Sequence, residues 1–214
     1  MSFFDRFKKK SSSTGEESPL GWDAITNEFI RIYPGQDNPK HYGTLISWEF
    51  GGNDPLQGIS IYEDKDSFHF VTFGLSELYE KHSENKDISG YGMELTFRLK
   101  KGCYENEEDE IKCICGILQS IARITFTKGE IFKPFEYIYS GQKSGVDSEQ
   151  KSDITGFITI PDVKANPLST VNGGLSFVQL IGVKDTELQQ VLNKENDVRG
   201  LYESLGSDIT DYKR

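Results

Sequence analysis

The tightest constraint on the fold comes from two runs of β periodicity. Across residues 91–99, Tyr91, Met93, Leu95, Phe97 and Leu99 alternate with Glu94, Thr96 and Arg98. That two-residue period points the apolar set inward and the polar set outward. Residues 67–73 instead carry Phe68 and Phe70 on one face and Val71 and Phe73 on the other, as a strand in the middle of a sheet does. Further strands are expected at 58–62, 154–160 and 175–183. Another is expected at 44–50, with Ile46, Trp48 and Phe50 opposite Ser47 and Glu49. Helical spacing links Trp22, Ile25, Phe29, Ile32 and Tyr33 up to the turn at Pro34-Gly35, and links Ile111, Ile114, Cys115, Leu118 and Ile121. Thr186 with Gln189 resembles a capping box opening a third helix through Leu188, Val191 and Leu192. Residues 129–152 read as irregular. With no βαβ rhythm, the chain is α+β, a mixed and largely antiparallel sheet with flanking helices.

Charge narrows the partners. The 214 residues carry a net charge of −10, and the 20 cations and 33 carboxylates of residues 11–214 leave that part at −13. Such a surface repels phosphate backbones, so no direct nucleic-acid partner is expected. The opposite sign is confined to residues 1–10, where Arg6, Lys8, Lys9 and Lys10 surround Phe3, Phe4 and Phe7. One apolar turn is too short for stable membrane association. Residues 1–20 therefore read as a flexible tail and linker, and residues 21–214 as the domain. Three cysteines, Cys103, Cys113 and Cys115, with no visible export signal suggest reduced thiols in a cytoplasmic protein.

Motifs for catalysis fail on inspection. Gly74-Leu75-Ser76-Glu77-Leu78 has the first glycine of a nucleophile elbow and lacks the second. Cys113 and Cys115, two apart on an expected helix, point about 200° away from each other and cannot chelate together. His69 shares a strand face with Val71 and Phe73, which favours a core or interface histidine. Ser89-Gly90-Tyr91-Gly92 precedes a strand and not a helix, so it is no phosphate cradle. The acidic run Glu105, Glu107, Glu108, Asp109 and Glu110 lacks calcium-loop spacing and reads as a solvated loop or a contact for a basic partner. No catalytic set, cofactor site or metal site is expected.

Several segments, in this order, resemble the Suppressor of fused domain family. They are Gly51-Gly52-Asn53-Asp54-Pro55-Leu56, residues 69–79 (HFVTFGLSELY, including Phe73, Gly74 and Leu75), and residues 89–99 (SGYGMELTFRL). The last of these contains Ser89, Gly90, Gly92, Glu94, Leu95, Phe97 and Arg98. Residues 158–162 (ITIPD), 170–182 (TVNGGLSFVQLIG), Glu187-Leu188 and 209–214 (ITDYKR) continue the likeness. The resemblance implies a protein-binding, non-catalytic domain. In animals the family member sequesters Gli transcription factors by gripping an extended peptide between two domains, whereas this chain resembles the N-terminal domain alone. Phe70 also stands where the family has Tyr. Single-domain versions are of bacterial type and imply an immunity protein that neutralises a polymorphic toxin such as a nuclease. The alternative is an adaptor holding extended peptides at a sheet edge. On either reading the candidate contacts are His69, Phe70, Ser76, Glu77 and Tyr79, together with the acidic run.

Overall fold

The computed structural model describes residues 20–46, 48–102 and 104–214; the expectations for residues 1–19, for Ser47 and for Cys103 lie outside them. Helix α1 (Leu20–Ile32) leads into β1 (Lys40–Gly43), a 3-10 turn at Trp48–Phe50, β2 (Gly58–Glu63), β3 (Ser67–Phe73) and β4 (Ile88–Lys100). Then follow α2 (Glu107–Lys128), β5 (Tyr137–Ile138), β6 (Ile154–Pro161), β7 (Leu168–Thr170), β8 (Gly173–Lys184), α3 (Asp185–Leu192) and α4 (Val198–Leu205). The strands form one sheet in the order β1-β2-β3-β4-β8-β6-β5, with β7 paired to the start of β8. Every pairing is antiparallel except β4 with β8. The expected mixed, largely antiparallel sheet is what the chain builds.

Helices cover both faces. On one, Ile111, Ile114, Leu118, Ile121 and Ala122 of α2 pack against Phe70, Leu95, Phe97, Leu99 and Leu180. On the other, Ile25, Phe29 and Tyr33, from α1 and the residue after it, meet Tyr62, Val71, Phe73 and Phe177. Leu188, Val198 and Leu201 of α3 and α4 meet Ile158, Ile160, Ile181 and Val183 on that same side. Burying an aromatic or branched side chain is worth about 1.5–3 kcal/mol each, so both layers contribute substantially.

Four expectations need correction. The edge strand lies at Lys40–Gly43 and not at 44–50, because His41 Nδ1 meets Ser60 Oγ at 2.9 Å and Tyr42 donates to Glu108 from the strand itself. Trp48 then turns onto Phe126, which leaves Ile46 and Phe50 exposed. Most of the acidic run is no loop: Glu107, Glu108, Asp109 and Glu110 form the first turn of α2 behind the Asn106 cap, where carboxylates suit the helix dipole. The capping carboxylate of α3 is Glu187, which accepts from the Lys184 N–H at 2.8 Å, in place of the Thr186 and Gln189 pair. The largest correction concerns β4. Glu94, Thr96 and Arg98 do not face solvent; they are 0%, 0% and 5% exposed beneath the α1 side.

Candidate functional site

Those three buried polar residues organise what surrounds them. Glu94 accepts from Thr72 Oγ1 at 2.6 Å, from the N–H groups of Gly74 (3.0 Å) and Ser76 (2.8 Å), and from Ser76 Oγ at 2.6 Å. Burial pushes its carboxyl up to about 7 despite these donors. The loop leaving β3 is thus wound around one side chain. Gly74 takes φ 127°, and a Cβ there would lie 3.0 Å from the Gln57 N. Ser76, the residue of the incomplete nucleophile elbow, spends its hydroxyl on Glu94.

A second carboxylate fixes the rest of the loop. Glu77 accepts from Lys81 Nζ at 2.9 Å, from the His82 and Ser83 N–H groups at 2.6 Å each, and from the Gly90 N–H at 3.1 Å. Partial burial raises its pKa, but Lys81 and the three N–H groups outweigh burial and hold it at about 2. Ser89 Oγ accepts from the Glu77 N–H at 2.9 Å, and Asn172 Nδ2 donates to the Glu77 and Tyr79 carbonyls at 2.9 and 3.1 Å. Gly90 sits at φ 56°, where a Cβ would lie 2.7 Å from the Leu75 carbonyl oxygen. Backbone bonds from Tyr91 to Leu75 and from Gly174 to Asp87 close the assembly. On the other side of the sheet, Arg123 donates to the Asn53 carbonyl and to Asp54, and Gln119 accepts from the Leu56 N–H, so α2 holds the 51–56 turn.

Further along β4 the polar row continues. Asp162 accepts from His69 Nε2 at 2.9 Å and from Thr96 Oγ1 at 2.6 Å, and the Tyr33 hydroxyl meets His69 Nδ1 at 2.8 Å. Burial raises the Asp162 pKa, but His69, Thr96 and the Ala165 N–H outweigh it and hold the group at about 2. Arg98 reaches Asp64, Ser67 and Asp208. The His69–Asp162 pair has the form of a base and its orienting acid. Its second nitrogen is occupied by Tyr33, His69 is fully buried, and Ser76 belongs to a different cluster. This row is a polar core.

The candidate contacts divide accordingly. His69, Phe70 and Ser76 are buried, Glu77 is committed to its loop, and Tyr79 reaches the surface. Around Tyr79 (37% exposed) lie Leu20 (44%), Ile88 (41%) and Val171 (69%). Hydrogen bonds and strand pairing link them: the Gly21 N–H bonds to the Leu78 carbonyl, Asn172 to the Tyr79 carbonyl, and Ile88 pairs with Gly174. Leu45, Ile46 and Phe50 are exposed at the same end of the sheet. Gly51, Gly52, Asp54, Pro55, Leu56, Phe73, Gly74, Leu75, Ser89, Gly90 and Gly92 gather there too, whereas Leu95 and Phe97 are core residues on the α2 side. Leu20 and Ile88 carried no sequence signal as contacts, because a single exposed aliphatic residue is unremarkable until the fold assembles several.

The acidic first turn of α2 lies at the opposite end of the sheet. Glu105 and Asp109 are exposed there, Glu107 accepts from the Gly102 N–H, and Glu108 pairs with Lys40 and Tyr42. Glu110 is buried and accepts from the Ser148 N–H and hydroxyl. Burial raises the thiols of Cys113 and Cys115 to about 11 and about 12, and Cys113 Sγ donates to the Val146 carbonyl. Among the described residues, no group of three or more His, Cys, Asp or Glu is placed to hold a metal ion, and no helix is long and apolar enough to cross a membrane.

Comparison with known proteins gives a consistent answer. Residues 52–214 match the family described as Suppressor of fused protein (SUFU). The Suppressor of fused homologs of Homo sapiens and Mus musculus are each 31% identical over 181 residues, covering 78% of this chain and 36% of theirs. The chain thus spans about a third of the length of these relatives. Among solved structures, a chain of the Sufu–Fu complex superposes with TM-score 0.74 at 29% identity, covering 86% of this chain and 83% of that one. Drosophila Suppressor of Fused gives 0.75 at 29% identity, over 88% of this chain and 47% of that one.

Proposed function

Because the chain belongs to the Suppressor of fused family, we propose that it is a non-catalytic, protein-binding domain whose binding face is the end of the sheet around Tyr79. The observation that carries this reading is the exposed cluster of Leu20, Tyr79, Ile88 and Val171 on loops held by Glu77 and Glu94. Apolar side chains on a rigid support can bind without a large ordering cost. That a relative is the subject of a Sufu–Fu complex structure supports a protein as the partner. A photo-crosslinking residue placed at Val171 in the native cell should yield one defined protein adduct, and the same residue at Tyr137 should not. Equal adducts at both positions, or none at Val171, would count against this face.

The finer reading is an immunity protein of bacterial type that acts in the cytoplasm on a toxin with a basic, phosphate-binding cleft. Its support is the net charge of −10, which would speed association with such a cleft. Co-expression tests it: the chain should rescue cells from a toxin encoded beside its gene, and failure would leave the adaptor reading ahead. That alternative has its own support in β1, a four-residue strand at the end of the strand order and, among the described residues, paired only to β2. A preference for short linear peptides, lost on placing proline at Gly43, would favour it.

A further inference from the structure

We propose that the groove beside β5, at the opposite end of the strand order from β1, binds a small organic ammonium ion. The groove measures about 780 Å³, within the roughly 300–1,000 Å³ of small-molecule sites. One wall is the segment that runs from the end of α2 into β5, and the other is the junction of α3 with α4. Both walls are tied down. The Phe135 N–H donates to the Thr159 carbonyl at 2.7 Å, the Glu136 N–H to Thr159 Oγ1 at 2.9 Å, and Thr159 Oγ1 to the Lys133 carbonyl at 2.6 Å. These bonds hold Phe135 at φ 69°, a left-handed conformation that a bulky residue seldom takes. Across the groove, the Glu195 and Asn196 N–H groups donate to the Gln190 carbonyl at 2.9 and 3.2 Å, and Asp197 caps α4 by accepting from the Gly200 N–H at 2.7 Å. Walls fixed in this way lose little freedom when a ligand enters.

The lining suits a cation with an apolar body. Phe132, Phe135 and Tyr137 supply aromatic rings, and Val191 and Val198 supply aliphatic surface. The face of an aromatic ring carries negative potential, so a cation within about 6 Å of it is attracted. The chain already uses this property, because the Arg199 guanidinium stands 3.6 Å from the centre of the Phe135 ring. Tyr137, 45% exposed, offers a ring that a guest can reach. Glu130, Glu136 and Asp197 add three carboxylates, and Lys194 and Arg199 oppose them. One negative charge is left over, which fits a monocation. Asp197 is committed to its helix and Glu136 accepts from the Lys133 N–H at 2.9 Å, whereas Glu130 has no hydrogen-bond or ion-pair partner among the described residues. An anion would be repelled here, and a neutral apolar guest would desolvate the carboxylates without compensation. A quaternary ammonium group combines charge with apolar surface, and aromatic walls recognise that combination. The groove shares no residue with the Tyr79 face, so the proposal stands whether or not a partner binds there.

The test follows amide chemical shifts of the full chain during titration with choline chloride, at an ionic strength held constant with sodium chloride. Shifts should centre on residues 130–137 and 191–198 and saturate with a Kd on the order of 1–10 mM, the range open to so small a ligand in an open groove. The neutral carbon isostere of choline, with a tert-butyl group in place of trimethylammonium, should bind about fivefold more weakly or worse. Tyr137→Leu keeps apolar surface and removes the ring; it should weaken choline about two- to fivefold and leave the isostere unchanged. Glu130→Gln should likewise weaken choline alone. Equal affinity for choline and its isostere would make this a plain apolar groove and overturn the proposal. Shifts spread over the acidic surface at large, or no saturating shift at choline concentrations tenfold above that range, would overturn it as well.

Discussion

One strand separates two kinds of interior. Toward α2, β4 presents Met93, Leu95, Phe97 and Leu99 to an apolar layer; toward α1, it presents Glu94, Thr96 and Arg98 to donors and acceptors from five other segments. An apolar layer needs roughly the right volume, and it tolerates exchange among similar shapes. A polar layer needs specific partners, because each unmet group costs the full price of its desolvation. The apolar side of β4 makes the sheet stable, and the polar side determines where its loops stand.

The contrast can be broken most forcefully at Arg98. Arg98→Ala leaves a void and strips Asp64 and Asp208 of a shared cation, and should cost about 3–5 kcal/mol in denaturant unfolding. A cost below about 1 kcal/mol would mean that the pairs are dispensable. Asp162→Asn keeps the shape yet weakens four hydrogen bonds, from His69, Thr96, Lys164 and Ala165, and should cost about 1.5–3 kcal/mol. Across the strand, Leu95→Met should cost less than about 1.5 kcal/mol, and a larger loss there would erase the difference between the two sides.

Acid sharpens the comparison further, because the titrating groups sit on the α1 side. Asp162 and Glu77 have folded pKa values near 2, below their ordinary 3.8 and 4.5. Their contribution is complete above about pH 4.5 and is lost as pH falls toward 2. His41, lowered by burial from 6.5 to about 4, must stay neutral to remain packed against Trp22 and Phe73, so its contribution fades between about pH 6.5 and 4. His41→Gln should flatten the upper part of the stability–pH curve, and Asp162→Asn with Glu77→Gln the lower part. An unchanged curve in either variant would remove that group from the account.

The sequence made one side of this molecule far easier to read than the other. Periodicity located β2, β3, β4, β6, β8, α1, α2 and α3, since apolar spacing reports burial directly. The same rule misplaced Glu94, Thr96 and Arg98: an alternating strand looks half-solvated whenever its polar partners, such as Asp162 and Asp208, lie far away in the chain. Residues 44–50 alternate equally well, but the side-chain partners that anchor an edge strand are supplied by His41 and Tyr42. The proposed binding face was partly legible. The motif resemblance marked Tyr79 and its loop, whereas Leu20, Ile88 and Val171 join it only through pairings that the sheet creates.

The most direct test of the central claim is hydrogen exchange in Glu94→Gln. The change keeps the volume of the buried side chain and replaces one of the two oxygens that accept from residues 74–76 with an NH2 donor. The amides of Gly74, Leu75 and Ser76 should open more readily by about 1–3 kcal/mol, while those of the α2-side core at Phe97 and Leu118 keep their protection. The adduct from Val171 should decline in parallel. Uniform loss of protection across the sheet would make Glu94 an ordinary core residue, and unchanged protection at residues 74–76 would contradict the claim that this carboxylate holds the loop in place.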